Sequence, residues 1–144
     1  MRAIVDIETD AINATKIHCI VARNAETGET RHWIGDQCRE FGEWSKKIDT
    51  FIMHNGISFD APLLNKFTGS DIKVNQIDDT LIKSQLYNPI RDGGHSLEAW
   101  GNFLGHKKGD YHDFSHFNQE MLKYCYIDTA VTMETYNYLQ EEGK

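Results

Sequence analysis

The sequence predicts an α/β domain in which about five strands form a mixed β-sheet flanked by α-helices. Two observations carry this reading. Three short apolar runs come first, Arg2 to Glu8, Ile17 to Arg23 and Thr30 to Ile34, and Asn24-Ala-Glu-Thr-Gly28 has the turn chemistry of an antiparallel hairpin. Beyond Ile34 the pattern changes to alternating helical and strand-like segments, which adds parallel strands to the meander. The 144 residues, 40% hydrophobic and 26% charged, have globular proportions and can bury one core. Only two prolines and no Gly/Ser tract or repeat interrupt them, so one domain over residues 1–144 is expected.

The later elements follow from periodicity and capping. Asp36 is a candidate cap for a helix over 38–48, with Phe41, Trp44 and Ile48 on one face. Thr50 to Met53 reads as a fourth strand, Ala61 to Phe67 as a helix, Val74 to Ile77 as a fifth strand and Thr80 to Leu86 as a helix. Asn88 to Gly94 is a loop, after which Ser96 caps a helix over 97–104. Gly105 to His116 is polar and irregular. The last helix runs from about Phe117 to Leu139, with Met121, Cys125, Asp128, Thr132, Thr135 and Leu139 along its less polar face. Trp33, Trp44 and Trp100 are expected in or near the core, with Leu97 and Trp100 packing the helix beside the site.

Charge and cysteine usage narrow the function. Fifteen basic against twenty-two acidic residues give −7, the wrong sign for gripping duplex DNA by charge alone. Cys19, Cys38 and Cys125 are odd in number with no C-x-x-C pairing, which argues against a disulfide scaffold or zinc ribbon and favours a reducing cytoplasm. No apolar run approaches the ~18 residues of a membrane span, and the first residues lack a signal peptide's features. His106, His112 and His116 with Asp110 and Asp113 could be drawn as a zinc site, but no cysteine accompanies them and none is assigned. His54, at the end of the fourth strand, is expected to pack rather than to catalyse.

Four carboxylates stand in places that need explaining. Asp6 and Glu8, at i and i+2 on the first strand, leave the same face. They are either a solvated acidic face or a pair that requires neutralising. Asp60 follows His54-Asn-Gly-Ile-Ser-Phe59 and precedes Ala61-Pro62, so it is either a helix cap or, with Ser58 capping, is left free. Asp128 lies on the packing face of the last helix, one turn after Tyr124, which could simply bond to it. If they converge, such oxygen ligands suit Mg²⁺ or Mn²⁺. Two ions about 4 Å apart would hold a phosphodiester between them.

In spacing and order, Asp6-Ile-Glu8, Asn55-Gly-Ile-Ser-Phe59-Asp60 and Tyr124-x-x-x-Asp128 resemble the three motifs of the DEDD 3′–5′ exonucleases. Lys123 stands where the histidine branch carries its histidine, so the likeness is to the tyrosine branch, DEDDy. Asp79-Thr-Leu81 and His95-Ser-Leu-Glu-Ala-Trp-Gly101, with Leu104-Gly105, Lys108-Gly109 and Tyr111, are similar to the proofreading exonuclease domain of family A DNA polymerases from short-tailed phages. The similarity runs from about Val5 to Leu139. The segment between Tyr111 and Tyr124 is shorter than in those polymerases, and no polymerase domain follows Lys144, so a free-standing exonuclease or one part of a split or truncated replicase is expected.

The resemblance implies a ribonuclease H-like fold and metal-dependent removal of nucleotides from the 3′ end of single-stranded DNA. By the same resemblance Asp6, Glu8 and Asp128 hold the first of two divalent cations. Asp6 bridges to the second, Asp60 supports it through water, and Tyr124 orients the attacking water. Asn55 and Phe59 line the site, though Phe59 could equally be core, and Thr9 and Asp10 approach the terminal nucleotide through backbone groups. Lys66, Lys83, Arg91, Lys107 and Lys108 are candidate backbone contacts, or ordinary solvated cations. The implied partners are a single-stranded nucleic acid, DNA before RNA, and a separately encoded polymerase, in the host cytoplasm if the chain is phage-encoded, with no membrane role. The alternatives are an exoribonuclease of the same fold and a non-catalytic module that binds a polymerase.

Overall fold

The computed structural model describes residues 1–106 and 116–144, so the expectations placed on Lys107, Lys108, Gly109, Asp110, Tyr111, His112 and Asp113 lie outside the described residues. Five strands, β1 (Arg2–Thr9), β2 (Ile17–Asn24), β3 (Thr30–Ile34), β4 (Thr50–Met53) and β5 (Ile77–Asp79), form one sheet in the order β3-β2-β1-β4-β5. The first three make the expected antiparallel meander, while β4 and β5 run parallel to β1. β1 is therefore central.

The alternation of β1 decides what each face carries. Ala3, Val5 and Ile7 point to one face and join Ile20, Ala22, Phe51 and Met53, covered by α1 (Phe41–Trp44) and α2 (Ala61–Thr68). Ile4, Asp6 and Glu8 point to the other face. There Ile4 meets Ile52 and Tyr136, and Val21 and Cys19, paired with Asp6 and Glu8, pack on Met121, Leu122 and Cys125 of α5 (Gln119–Glu142). α3 (Thr80–Tyr87) and α4 (Leu97–Leu104) flank α5, with Trp100 buried against Val131 and Leu139. Among the described residues no helix is long and apolar enough to cross a membrane.

Three boundaries differ from the sequence reading. The helix expected over 38–48 is a 3₁₀ turn over Gly35–Glu40, the short α1, and a second 3₁₀ turn over Ser45–Lys47. Asp36 is inside the first turn rather than its cap, because Ile34 ends β3 and the chain coils at once. A Cβ on Gly42 would lie 2.1 Å from the Thr68 carbonyl oxygen, so this crossing of α1 and α2 admits only glycine. The strand expected at Val74 is a 3₁₀ turn over Val74–Gln76, and β5 begins at Ile77, where pairing with Phe51 starts. α5 starts at Gln119, capped by Asn118, whose Oδ1 accepts from Met121 N at 3.0 Å.

Candidate active site

Asp6 and Glu8 lie on the sheet face that α5 covers, not on an open acidic surface. Next to Glu8 the register of β1 against β2 slips by one residue, so the strand bends as it leaves the sheet. Asp128 is buried, on the face of α5 that packs against β1 and β2. Met121, Cys125, Thr132, Thr135 and Leu139 are buried with it, as the sequence stripe predicts.

Asp60 arrives by a different route. β4 ends at Met53, Asn55 adopts φ 67 and ψ 29, and a π-helical turn over Gly56–Asp60 feeds directly into α2. Asparagine tolerates this left-handed conformation where most side chains do not. A Cβ on Gly56 would sit 2.3 Å from that of Met53, so the turn also needs glycine there. Asp60 is already helical, at φ −63 and ψ −47, and its side chain makes no capping bond; the cap reading of Asp60 is excluded. Ser58 is not the cap either, since the π turn and α2 are continuous.

The electrostatics bring the four carboxylates together. The Asp6 carboxyl is held well above the usual carboxylate range, first by burial and then by the charges of Asp128, Glu8 and Asp60. Asp60 is raised in the same direction, first by burial and then by Glu8, Asp79 and Asp128. Each group's proton affinity thus reports the others as near neighbours. Asp6, Glu8 and Cys125 each place a ligand-type atom within 4.8 Å of the other two. Burial, a hydrogen bond with Cys19 and the charge of Asp6 push the Cys125 thiol well above its ordinary value, and a soft sulfur is a poor match for the hard cations that carboxylates prefer. The carboxylate oxygens, crowded and mutually repelling, fit a hard divalent cation.

The comparisons with known proteins bear on the fold that carries this cluster. No family model matches the chain. Over 177 aligned residues it is 25% identical to the DNA-directed DNA polymerases of Escherichia phage T7 and Enterobacteria phage T3, a match covering 88% of this chain and 25% of each polymerase. The chain therefore spans about a quarter of the length of the curated relatives it matches. Among solved structures, Brucella melitensis NrnC bound to pGG superposes with a TM-score of 0.74 at 19% identity, covering 98% of this chain and 72% of NrnC. A second NrnC structure with bound Mg²⁺ gives 0.72 at 18%. Phi29 DNA polymerase complexed with primer-template DNA gives 0.66 at 14%, over 99% of this chain and 32% of the polymerase. The fold is the ribonuclease H-like exonuclease fold. The resemblance to DEDDy exonucleases, and to the exonuclease domain of short-tailed-phage polymerases, is borne out.

Within this exonuclease fold the remaining candidates separate. Thr9, Asp10 and Phe59 line an open cavity of about 280 Å³ beside Glu8, together with Ile7, Ala11 and the exposed Ile12. Phe59 is half-buried and also touches the core, so both readings of it hold. The Asp10 carboxylate accepts from Thr15 Oγ1, from Thr15 N at 2.9 Å and from Lys16 N at 3.3 Å, which closes the loop. Those bonds, the Thr15 hydroxyl first, lower its pKa to about 2. Tyr124 is half-buried on α5, one residue before Cys125. Two proposed backbone contacts are committed elsewhere. Lys83 pairs with Asp78 at 2.8 Å, and Arg91 pairs with Glu142 at 2.6 Å while stacking on Trp100.

Two residues of the site escaped the sequence reading. Asp79 is buried and accepts from three backbone N–H groups, Asn55 at 2.9 Å, Ile57 at 3.2 Å and Leu81 at 3.0 Å, so one carboxylate pins the turn carrying Asp60 and caps α3. The available signal was an Asp immediately before a helical segment. Cys125 contacts Asp6 directly, which no spacing rule indicates.

Proposed function

We propose that this chain is a metal-dependent 3′–5′ exonuclease over residues 1–144 that hydrolyses nucleotides from the 3′ end of single-stranded DNA, acting in the host cytoplasm alone or beside a separately encoded polymerase. The observation that carries the reading is the convergence of Asp6, Glu8, Asp60 and Asp128, from three separate elements, into one cluster whose charges raise the proton affinity of Asp6 and Asp60. A structural role would not collect four acids, two of them buried and two half-buried, at one point without a cation.

Asp6, Glu8 and Asp128 would hold one divalent cation, Mg²⁺ or Mn²⁺. Asp6 would be shared with a second, and Asp60 would support it through water. Bound there, the cations supply the Lewis acidity that phosphodiester hydrolysis needs. Tyr124 would orient the water that attacks phosphorus with its hydroxyl. The P–O3′ bond breaks, leaving a 3′-hydroxyl on the strand and a nucleoside 5′-monophosphate. Thr9, Asn55 and Phe59 position the terminal nucleotide, and the aromatic face suits a sequence-independent base contact.

The likeness to NrnC bound to pGG favours a second reading, in which the substrate is a very short oligonucleotide, RNA included. One panel separates the readings. It offers 5′-labelled single-stranded DNA, duplex DNA, RNA and a dinucleotide with Mg²⁺, Mn²⁺ or EDTA. The proposal expects single-stranded DNA to be cut fastest and EDTA to abolish cleavage. Preference for the dinucleotide or RNA selects the second reading, and no cleavage of any substrate leaves a binding module.

A further inference from the structure

We propose that Cys125 is a positioning residue for the reaction, its thiol holding the Asp6 carboxylate in the orientation that receives the cation. This deepens the exonuclease reading and rests on it. The Cys125 thiol donates to Asp6 Oδ2 at 3.4 Å and is shared with the Asp6 backbone oxygen, also at 3.4 Å. One S–H group, beside the Cys19 sulfur, therefore faces both the carboxylate and the strand that carries it, and ties α5 to β1 at the site. Cys125 is fully buried between Cys19 and Val21 of β2 and Met121 and Leu122 of its own helix, so the sulfur has no freedom to leave. Asp128 follows it by one helical turn on the same face, so the helix that supplies one carboxylate also orients another.

The choice of donor has a physical logic. Asp6 faces the charges of Asp128, Glu8 and Asp60, and repulsion alone would rotate it away from them. A Lys or Arg at this position would hold Asp6 but would also neutralise it and compete with the cation. A backbone N–H would be spent on the helix ladder. A thiol is a neutral, weak donor that fits an apolar wall and fixes one carboxylate oxygen without taking its charge. Hydrogen-bonded partners of metal-binding carboxylates set ligand orientation, and their loss weakens metal binding.

The test uses the whole chain and reads Mg²⁺ binding in two ways, by the Mg²⁺-dependent rise in Tm and by the Mg²⁺ concentration that half-saturates cleavage of a 5′-labelled single strand. Cys125→Ala should raise the half-saturating concentration in both readouts by roughly 3- to 10-fold, the scale of one weak hydrogen bond to a charged ligand. Cys125→Ser, which restores a donor, should stay within about 2-fold of wild type. Leu122→Ala, which disturbs the same apolar cluster without reaching Asp6, should lower Tm but leave the Mg²⁺ titration unchanged. If Cys125→Ala does not fold, Cys125→Val, which fills the space without donating, takes its place against Cys125→Ser. The proposal is overturned if the Ala or Val variant titrates like wild type, or if the Ser variant fails as badly as Ala. A wild-type protein that gains Tm with Mg²⁺ but cuts nothing defeats the exonuclease reading instead, and the Tm titration still decides the role of Cys125.

Discussion

A half-buried carboxylate surrounded by three others is poorly tolerated as an anion until a cation joins it. Asp6 is in that position, so the metal-free protein is destabilised by the residue its proposed activity requires. Asp6→Asn should therefore raise the Tm of the protein in EDTA by a few degrees, while abolishing both cleavage and most of the Tm gain from Mg²⁺. Differential scanning with and without Mg²⁺ checks this, and a lower Tm in EDTA would show that the cluster is held by protein contacts rather than awaiting a cation. Tyr124 and Asp128 share α5 but should fail differently. Asp128→Asn should raise the Mg²⁺ requirement and slow the reaction. Tyr124→Phe should leave the requirement nearly intact and cost on the order of 2–4 kcal/mol in the transition state, about 30- to 1000-fold in maximal rate. Mg²⁺ titrations of both variants separate the two effects. All five of these side chains were named by motif alone, because D-x-E, F-D and Y-x-x-x-D are local patterns with fixed spacing. Asp79 and Cys125 were seen in the sequence but given no role at the site, because what makes them matter is a partner 22 to 24 residues away for Asp79 and 119 for Cys125.

Elements were legible where one period ran unbroken. β1 to β4 and α4 stand within a residue or so of the sequence reading, and α5 keeps its face. The 38–48 segment was not legible, because Gly42 packs backbone against the Thr68 carbonyl and the resulting coil alternates 3₁₀ and α geometry. The π turn over Gly56–Asp60 was equally hidden, since it depends on Asp79 capturing the N–H of Asn55 just before it and that of Ile57 within it. His54 shows how neighbouring elements are joined. It bonds Thr80 Oγ1 at the start of α3 at 2.8 Å and the His95 carbonyl oxygen at 2.8 Å. Ser84 of α3 extends the link, bonding the His95 ring at 2.7 Å and accepting from Trp100 Nε1 at 3.0 Å and Arg91 Nε at 3.1 Å. The polymerase-like segment from His95 to Gly101 is thus a brace for α3 and α4. Burial lowers the pKa of His54, outweighing the opposing bond to the His95 carbonyl and the charge of Asp79. The unfolded chain takes up that proton near pH 6.5 and the folded one only at lower pH, so this contribution to stability is complete above about 6.5 and is lost as pH falls below it. The Tm difference between wild type and His54→Gln in EDTA should therefore shrink between pH 7.5 and pH 5.5. A difference independent of pH would mean that His54 keeps its ordinary affinity for a proton.

At the scale of the whole molecule the question is how an acidic protein holds a polyanion. A net charge of −7, with Lys83 and Arg91 tied into ion pairs, works against holding a long duplex by counterion release. What the surface offers is local: a carboxylate cluster that becomes attractive to phosphate only when cations fill it, beside an open cavity lined by Thr9, Ile12 and Phe59. Under the proposed function such a site would take up a short, unpaired stretch of strand, not a long groove-bound segment, and the chemistry would then proceed from an end. A 5′-labelled single strand should accordingly give a ladder of products that shortens with time, and a blunt duplex should be cut more slowly because its end must first fray. A bulky group on the 3′ terminus should slow the reaction by at least about tenfold, since the terminal nucleotide no longer fits over Thr9 and Phe59. A covalently closed circular strand should survive undamaged under conditions that consume its linear form. Because the same carboxylates would cut an internal phosphodiester if one could reach them, the circle measures access rather than chemistry, and its degradation by the purified protein would refute the exonuclease reading while leaving the metal cluster intact.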